Sequence, residues 1–388
     1  MSWPPGTDHQ EDPMATPAAR LPSLTGMRFM AALMVFFCHA YTEAYPSGGS
    51  PEIFRLAVGM GWLGVGFFFV LSGFVLTWSA REDDPPRRFW RRRVLKILPN
   101  HLVTWAVSLV IVVAVAGTVS WKQVVPSLLL VQGALPSLDF LAVNVPSWSL
   151  GCELFFYLCF PWLHRQLRKI RDELLWRWIA GVTLAIVAIP FLAEALLSAG
   201  PRAPGMSMST WQNWFVYPFP PVRTLDFVLG MLVARFVMSG RRLPLGLLGA
   251  GALFVGSIGV QFLLTPTVYG MAAPTALPLA LLIAAAARTD ALGLPSPWRG
   301  RTLVRLGEIS FAFYMVHYLV LHFGRSVPGV EVFADSAGEG VLAALFFVVS
   351  LLLAWLLYAT VETPAMRRWS RPRAARIPKP APVPEPRP

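Results

Sequence analysis

Runs of about 20 apolar residues, the length that crosses a bilayer as a helix, recur from near the start of the chain almost to its end. They fall at 27–45, 58–80, 98–118, 147–164, 175–198, 216–238, 243–264, 268–287, 303–323 and 340–361. One such run can be the core helix of a soluble domain. Ten in succession leave too little polar surface to cover one. The pattern therefore predicts an all-α, polytopic membrane protein of about ten transmembrane helices. The stretch 124–140 is only moderately apolar and is broken by Pro126, Gly133 and Pro136, so it reads as interfacial or re-entrant. The first run begins with the internal charge of Arg28 and lacks a small-x-small cleavage site. It is expected to stay as the first helix and not to be removed as a signal peptide. Residues 1–20 and 365–388 are polar and rich in Pro. They read as disordered tails around a single transmembrane domain at 21–364.

Composition agrees. Of 388 residues, 55% are hydrophobic and 14% charged, against about 25% charged in soluble domains. The charges also set an orientation. With the N-terminus in the cytoplasm, ten crossings put 28 of the 33 Lys and Arg on the cytoplasmic side, as the positive-inside rule requires. Only Arg55, Lys122, Arg202, Arg223 and Arg325 remain outside. A further crossing at 124–140 would reverse every later loop and abolish the bias. Both termini are thus expected to be cytoplasmic, in an inner (plasma) membrane. The net charge of +12 is divided among separate loops with no nucleic-acid module, so membrane lipid is the expected anionic partner. Cys38, Cys152 and Cys159 all lie in apolar runs and read as small core residues, with no disulfide framework or metal site.

Ionisable groups inside the spans are the candidates for chemistry, because lipid makes them costly. Arg28 and His39 are eleven residues apart on the first helix, on one face and about 16 Å apart along the axis. Glu43, one turn further, is placed to hold one ring nitrogen of His39 and leave the other free as a base. Glu153 lies inside the fourth span, after Trp148 and Ser149. Arg223 and Asp226 have the spacing of a structural ion pair. Glu308 and His317 share the ninth span, loosely on one face. The block Arg87–Lys96, with Arg91, Arg92 and Arg93, is either a positive-inside anchor or a docking surface for a polyanionic cofactor. The glycine-rich stretch 61–73 reads as helix packing.

Six segments carry a family resemblance: LTGMRFMAALMVFFCHA (24–40), GVGFFFVLSGFVLTW (64–78), FWRRRVLKILP (89–99), VPSWSLGCELFFYLCFP (145–161), LGEISFAFYMVHYLVL (306–321) and VETP (361–364). Each is weak by itself. In this order, over nearly the whole chain, they resemble the acyltransferase-3 family of integral-membrane O-acyltransferases. The resemblance implies acyl-CoA, expected to be acetyl-CoA, as donor substrate on the cytoplasmic side, with no permanently bound cofactor. It implies a hydroxyl acceptor on a sugar, polysaccharide or secreted natural product. The family's Arg-x10-His pair maps onto Arg28 and His39, its basic motif onto Arg93 and Lys96, its Trp-Ser-Leu-x-x-Glu acid onto Glu153 and its late histidine onto His317. Lys96 departs from the family's arginine, keeping the charge but losing the guanidinium fork. No SGNH-type esterase domain follows the last expected span, so the stand-alone form is expected, a form that includes actinobacterial enzymes acylating macrolide-type antibiotics.

The expected catalytic group is therefore His39, Glu43, Glu153 and His317, and the expected donor-binding group is Arg28, Arg91, Arg92, Arg93 and Lys96. His39 would act as general base; an acyl-histidine route is also open from sequence. The competing class is a multi-pass transporter, which polar groups at membrane depth also suit. No convincing inverted repeat relates the two halves, which counts against it. A passive scaffold would not explain the buried ionisable groups.

Overall fold

The computed structural model describes residues 20–46, 49–81, 84–137, 143–202, 208–264, 267–271, 273–327, 330 and 336–369. All regular elements among them are helical. They are α1 (Pro22–Ala44), α2 (Pro51–Trp78), α3 (Pro86–Ala116), α4 (Trp121–Leu128), α5 (Trp148–Leu167), α6 (Leu175–Leu197), α7 (Thr210–Val216), α8 (Pro220–Met238), α9 (Leu247–Leu264), α10 (Thr267–Gly270), α11 (Ala276–Ala291), α12 (Arg301–Gly324), α13 (Ser336–Leu357) and α14 (Thr363–Trp369). Proline opens α1, α2, α3 and α8, where its missing N–H costs nothing and its fixed φ already suits a helix.

A helix covers each of the ten expected spans, but length and composition support six crossings. These are α1, α2, α3, α6 with its preceding turn, α12 and α13 with its continuation; α9 is a shorter apolar helix. The other three, α5, α8 and α11, hold polar groups of the interior: Glu153, Arg223, Asp226 and Asp290. Burial explains why they need not be uniformly apolar: α8 and α11 are enclosed over most of their length. The lipid-facing helices show the reverse, with Leu184, Leu248, Leu263 and Trp355 all exposed. So much outward apolar surface suits lipid, not water, and the chain is a multi-pass membrane protein.

The core is a cross-packed set. α1 lies against α2 and α12, α2 against α8, and α8 against α6 and α11. At the α2–α8 crossing, a Cβ on Gly73 would overlap the carbonyl oxygen of Phe227, and one on Gly230 would overlap that of Val70. Backbones this close need glycine on both sides, which bears out helix packing for the Gly-rich stretch of α2. The start of α1 is fixed by Asp290 at the end of α11, which accepts from the Ser23 backbone N–H and from its hydroxyl, both at 2.7 Å.

The stretch 124–140 makes no full-length helix among its described residues. It holds the end of α4 and a short turn at Gln132–Ala134, and residues 138–142 lie outside the described set. Leu130 (φ 58°) and Val143 (φ 62°) take left-handed backbone conformations, each costing on the order of 1–3 kcal/mol. Leu130 and the turn Gln132–Ala134 pack under the start of α5, where Gly151 leaves room for the Leu130 carbonyl. Most of the two expected tails lies outside the described residues; at the C-terminal end, 365–369 continue helix α14.

Gly230→Ala is expected to destabilise the bundle by about 1–3 kcal/mol, the range for overpacking a filled core, seen as a lower unfolding midpoint in detergent. Gly251→Ala on α9, where an added Cβ meets nothing within 4 Å, should leave the midpoint unchanged.

Candidate active site

α1 and α12 lie side by side and bring two histidines together. Nδ1 of His39 is 2.9 Å from Nε2 of His317, and the rings are stacked with centroids 5.2 Å apart. His317 is fully buried. Its other nitrogen, Nδ1, is 3.2 Å from the backbone carbonyl of Phe313. These contacts assign the tautomers. A carbonyl only accepts, so Nδ1 of His317 carries its proton and Nε2 is the acceptor. His39 must then donate from Nδ1, and in the neutral ring that leaves its Nε2 as an unprotonated lone pair. The Tyr318 ring stands edge-on to His39 at 5.1 Å.

Glu43 does not hold His39. Its carboxylate is 2.9 Å from Nδ1 of His322. The two helices set this register: His317 already takes the His39 nitrogen, and one turn further along α1 Glu43 meets the next histidine of α12. Glu43 thus clamps the α1–α12 pair beyond the histidines. Glu308, by contrast, is exposed and takes no part, while Arg223 and Asp226 form the expected ion pair, fully buried at 3.2 Å with the guanidinium over Phe69.

His39 lines a cavity of about 620 Å³, with Glu43, Trp148, Asn213 and Tyr318 also in its wall. A second, narrower cavity of about 140 Å³ is lined by Arg28, Arg93, Lys96, Glu153 and Tyr157. Val65 and Tyr314 belong to both walls, so the two cavities adjoin. The Tyr314 hydroxyl is held by Ser149 at 2.9 Å. Glu153 accepts from the Tyr157 hydroxyl at 2.9 Å and faces the three cations. The fold thus gathers Arg28, Arg93, Lys96 and Glu153 into one chamber and places His39 in the next.

The arginine block is not a single surface. Arg91 is exposed and lines neither cavity. On a helix, three consecutive side chains point about 100° apart, so Arg91, Arg92 and Arg93 cannot all face one ligand. Arg92 is paired with Asp84, donating from Nη1 at 3.1 Å. That hydrogen bond holds the Asp84 carboxyl below its usual range. The pair therefore persists at neutral pH and opens only when acid titrates the depressed carboxyl. Lys96 is paired with Glu362, which also accepts from Asn100 at 2.7 Å. Glu362 ends a π-helical turn, Tyr358–Glu362, and is 2% exposed. Such turns re-aim side chains at functional positions. The sequence showed Glu362 as part of the VETP segment, but nothing local revealed its partner on α3.

Among the described residues no group of His, Cys, Asp and Glu could hold a metal ion.

Comparison with known proteins bears on this site. The family described as an acyltransferase domain matches residues 21–359. The acyltransferase MdmB of Streptomyces mycarofaciens is 41% identical over 374 residues, covering 93% of this chain and 96% of that protein. The exopolysaccharide production protein ExoZ of Rhizobium meliloti is 29% identical over 326 residues, covering 80% of this chain and 90% of its own length. Nodulation protein 10 of Rhizobium leguminosarum bv. viciae is 24% identical over 369 residues, covering 88% and 92%. No solved structure matches the chain. The chain belongs to the acyltransferase-3 family and is an acyltransferase enzyme.

Glu362→Ala should leave a cation and an amide without their carboxylate, lowering stability by roughly 3 kcal/mol in thermal unfolding. Adding Lys96→Met should recover part of that loss. Losses that simply add would show that the two side chains are not coupled.

Proposed function

We propose that this member of the family moves an acyl group, expected to be acetyl, from acyl-CoA to a hydroxyl of a sugar, polysaccharide or secreted natural product, with His39 as general base. One observation carries the reading: the His39–His317 contact takes up Nδ1 of His39 and leaves Nε2 of the neutral ring available as a base, on a residue that lines a cavity large enough for an organic acceptor. The names of the relatives, an acyltransferase and an exopolysaccharide production protein, support the acceptor class.

In the proposed reaction the acceptor hydroxyl gives its proton to Nε2 of His39 as its oxygen attacks the thioester carbonyl. The tetrahedral intermediate collapses, the C–S bond breaks, and the thiolate of CoA takes the proton back from the imidazolium. Products are an ester and free CoA, and His39 ends as it began. Throughout, His39 donates from Nδ1 to His317, which fixes the ring and its tautomer; His317 is a positioning residue. The donor would enter from the end that carries the arginine block, the cytoplasmic side by the positive-inside bias of an inner-membrane protein. Arg28, Arg93 and Lys96, balanced by Glu153, would line the path of its arm toward Val65 and Tyr314. The acceptor would occupy the larger cavity.

The test is release of CoA thiol by purified protein given acetyl-CoA and a panel of hydroxylated acceptors. Acceptor-dependent release should fall about 10²–10⁴-fold in His39→Ala, the usual contribution of a general base. His317→Gln keeps an acceptor atom for His39 and should retain more activity than His317→Ala. Undiminished turnover in His39→Ala would overturn the assignment.

A further inference from the structure

The larger cavity carries polar groups that the proposed reaction does not use. Several of them already have partners. Thr42 donates its hydroxyl to the His39 carbonyl at 3.2 Å, Glu43 holds His322, and the Tyr314 hydroxyl is held by Ser149. Two others are different. Asn213 is only 8% exposed and lines this cavity, and its side-chain amide makes no hydrogen bond among the described residues. Neither does the hydroxyl of Tyr217, half-buried in the same wall. A buried amide is rarely left unpaired, so its partner must come from whatever fills the cavity. Both residues belong to α7 and its end, outside the six segments that carry the family resemblance. The Tyr217 backbone N–H donates to the Asn213 carbonyl at 3.0 Å, which puts the two side chains one turn apart on one face. That face is held in place. A capping box closes the start of α7, with the Ser209 N–H donating to Gln212 Oε1 at 2.7 Å and the Gln212 N–H to Ser209 Oγ at 3.1 Å. The Trp214 indole donates to the Gly133 carbonyl at 3.1 Å. The Tyr217 ring rests against Trp148 and Trp62, with centroids 4.7 and 6.3 Å away, and all three rings line the cavity.

Resting on His39 as base and on an acceptor in this cavity, we propose that Asn213 and Tyr217 set acceptor specificity by binding a second hydroxyl of the acceptor, separate from the one that is acylated. A hydroxyl both donates and accepts. An amide offers the two roles side by side and a phenol offers both on one atom, so the pair serves a hydroxyl in either role. The rings of Trp62 and Trp148 supply apolar surface for the carbon skeleton, and a few fixed polar groups in an apolar wall are what orient a small molecule. With one hydroxyl at Nε2 of His39 and another on α7, the acceptor is held at two points, which decides which of its hydroxyls faces the base. A site built to bind a hydroxyl also rejects the analogue that lacks it, because the site's own polar groups are then left unpaired. The acceptor class selected is a polyol with its hydroxyls on one compact skeleton. A monohydric alcohol of the same skeleton is a poor substitute.

The probes are cyclohexanol and the 1,2-, 1,3- and 1,4-cyclohexanediols, applied to the full chain in nanodiscs. Occupancy is read without turnover, as protection of His39 from carbethoxylation by diethyl pyrocarbonate, measured on the His39 peptide by mass spectrometry. Cyclohexanol is the most apolar of the four, so a cavity offering only apolar walls would favour it. At least one diol should instead protect at about tenfold lower concentration, the value of one hydrogen bond to a group otherwise left unpaired. Asn213→Leu, similar in size but without the amide, should bring that preference below about threefold. Tyr217→Phe should reduce it as well, and unfolding midpoints in detergent show that both variants are folded. Gln166→Leu, an exposed change near the end of α5, should keep the preference. The same order should appear in kcat/KM for CoA release from acetyl-CoA. Protection by cyclohexanol equal to that by every diol in the wild type would refute the proposal, as would a diol preference that folded Asn213→Leu and Tyr217→Phe both leave intact. A diol preference lost in these variants, with no CoA release from any donor, would count against the proposed reaction and leave this hydroxyl site standing.

Discussion

An imidazole held among lipid-facing helices must find a partner within the bundle, because lipid supplies none. In this protein that partner is a second imidazole, and much of the arrangement follows from bringing the two together. His39 and His317 are 278 residues apart in the chain. Their contact requires α1 and α12 to run side by side at close range, which Gly307 permits by leaving room for the carbonyl of Thr25. Once the rings meet, the Phe313 carbonyl decides which nitrogen of His317 carries a proton. That choice passes through the hydrogen bond and decides which nitrogen of His39 does not. A backbone carbonyl on one helix thereby sets the chemical character of a side chain on another.

The helices around this pair are held by devices of the same kind. Asp290 caps the start of α1 from α11, so the Arg28 end of that helix is anchored. Glu43 and His322 clamp the other end. Glu362, delivered by a π-helical turn, ties α3 to the last helices through Lys96 and Asn100. Each is a polar contact between distant segments, and at the buried ones an unmade hydrogen bond is expensive. The glycine crossing of α2 and α8 supplies close packing within the same core.

Much of this was legible in the sequence, and the part that was not has a definite physical reason. Helix periodicity alone put Arg28 and His39 on one face of α1, and the spacing of Arg223 and Asp226 gave their ion pair. The apolar runs located ten helices but could not separate those that face lipid from those enclosed by other helices. That distinction appears in α8 and α11, which are buried by neighbours and not by a bilayer. Spacing within one helix also misled at Glu43. Its nearest ionisable neighbour in sequence is His39, but α12 brings His322 to it and His317 to His39. Lys96 and Glu362 likewise meet across 266 residues. Side chains that pair between helices leave no periodic signal, since the register of two helices is fixed by packing far from the pair.

The division of charge with depth connects the site to the chemistry proposed for it. Fixed positive charge is concentrated at one end of the bundle, at the end of α5, the turn after it and the start of α3, where phosphates can be met without leaving water entirely. Past Arg28 and Glu153 the shared wall of Val65 and Tyr314 is apolar and aromatic, and the larger cavity beyond it is faced by the imidazole of His39 together with Glu43 and Arg55. A general base in such a place has an advantage over a carboxylate. It carries no charge before the acceptor arrives, becomes cationic only while an oxyanion forms beside it, and returns to neutrality when the thiolate leaves. Opposite charges then appear and vanish together in a region of low dielectric, where their mutual attraction is strongest. A donor whose charges lie at one end and whose reactive carbon lies at the other is suited to such a gradient, since only its uncharged arm need enter the interior.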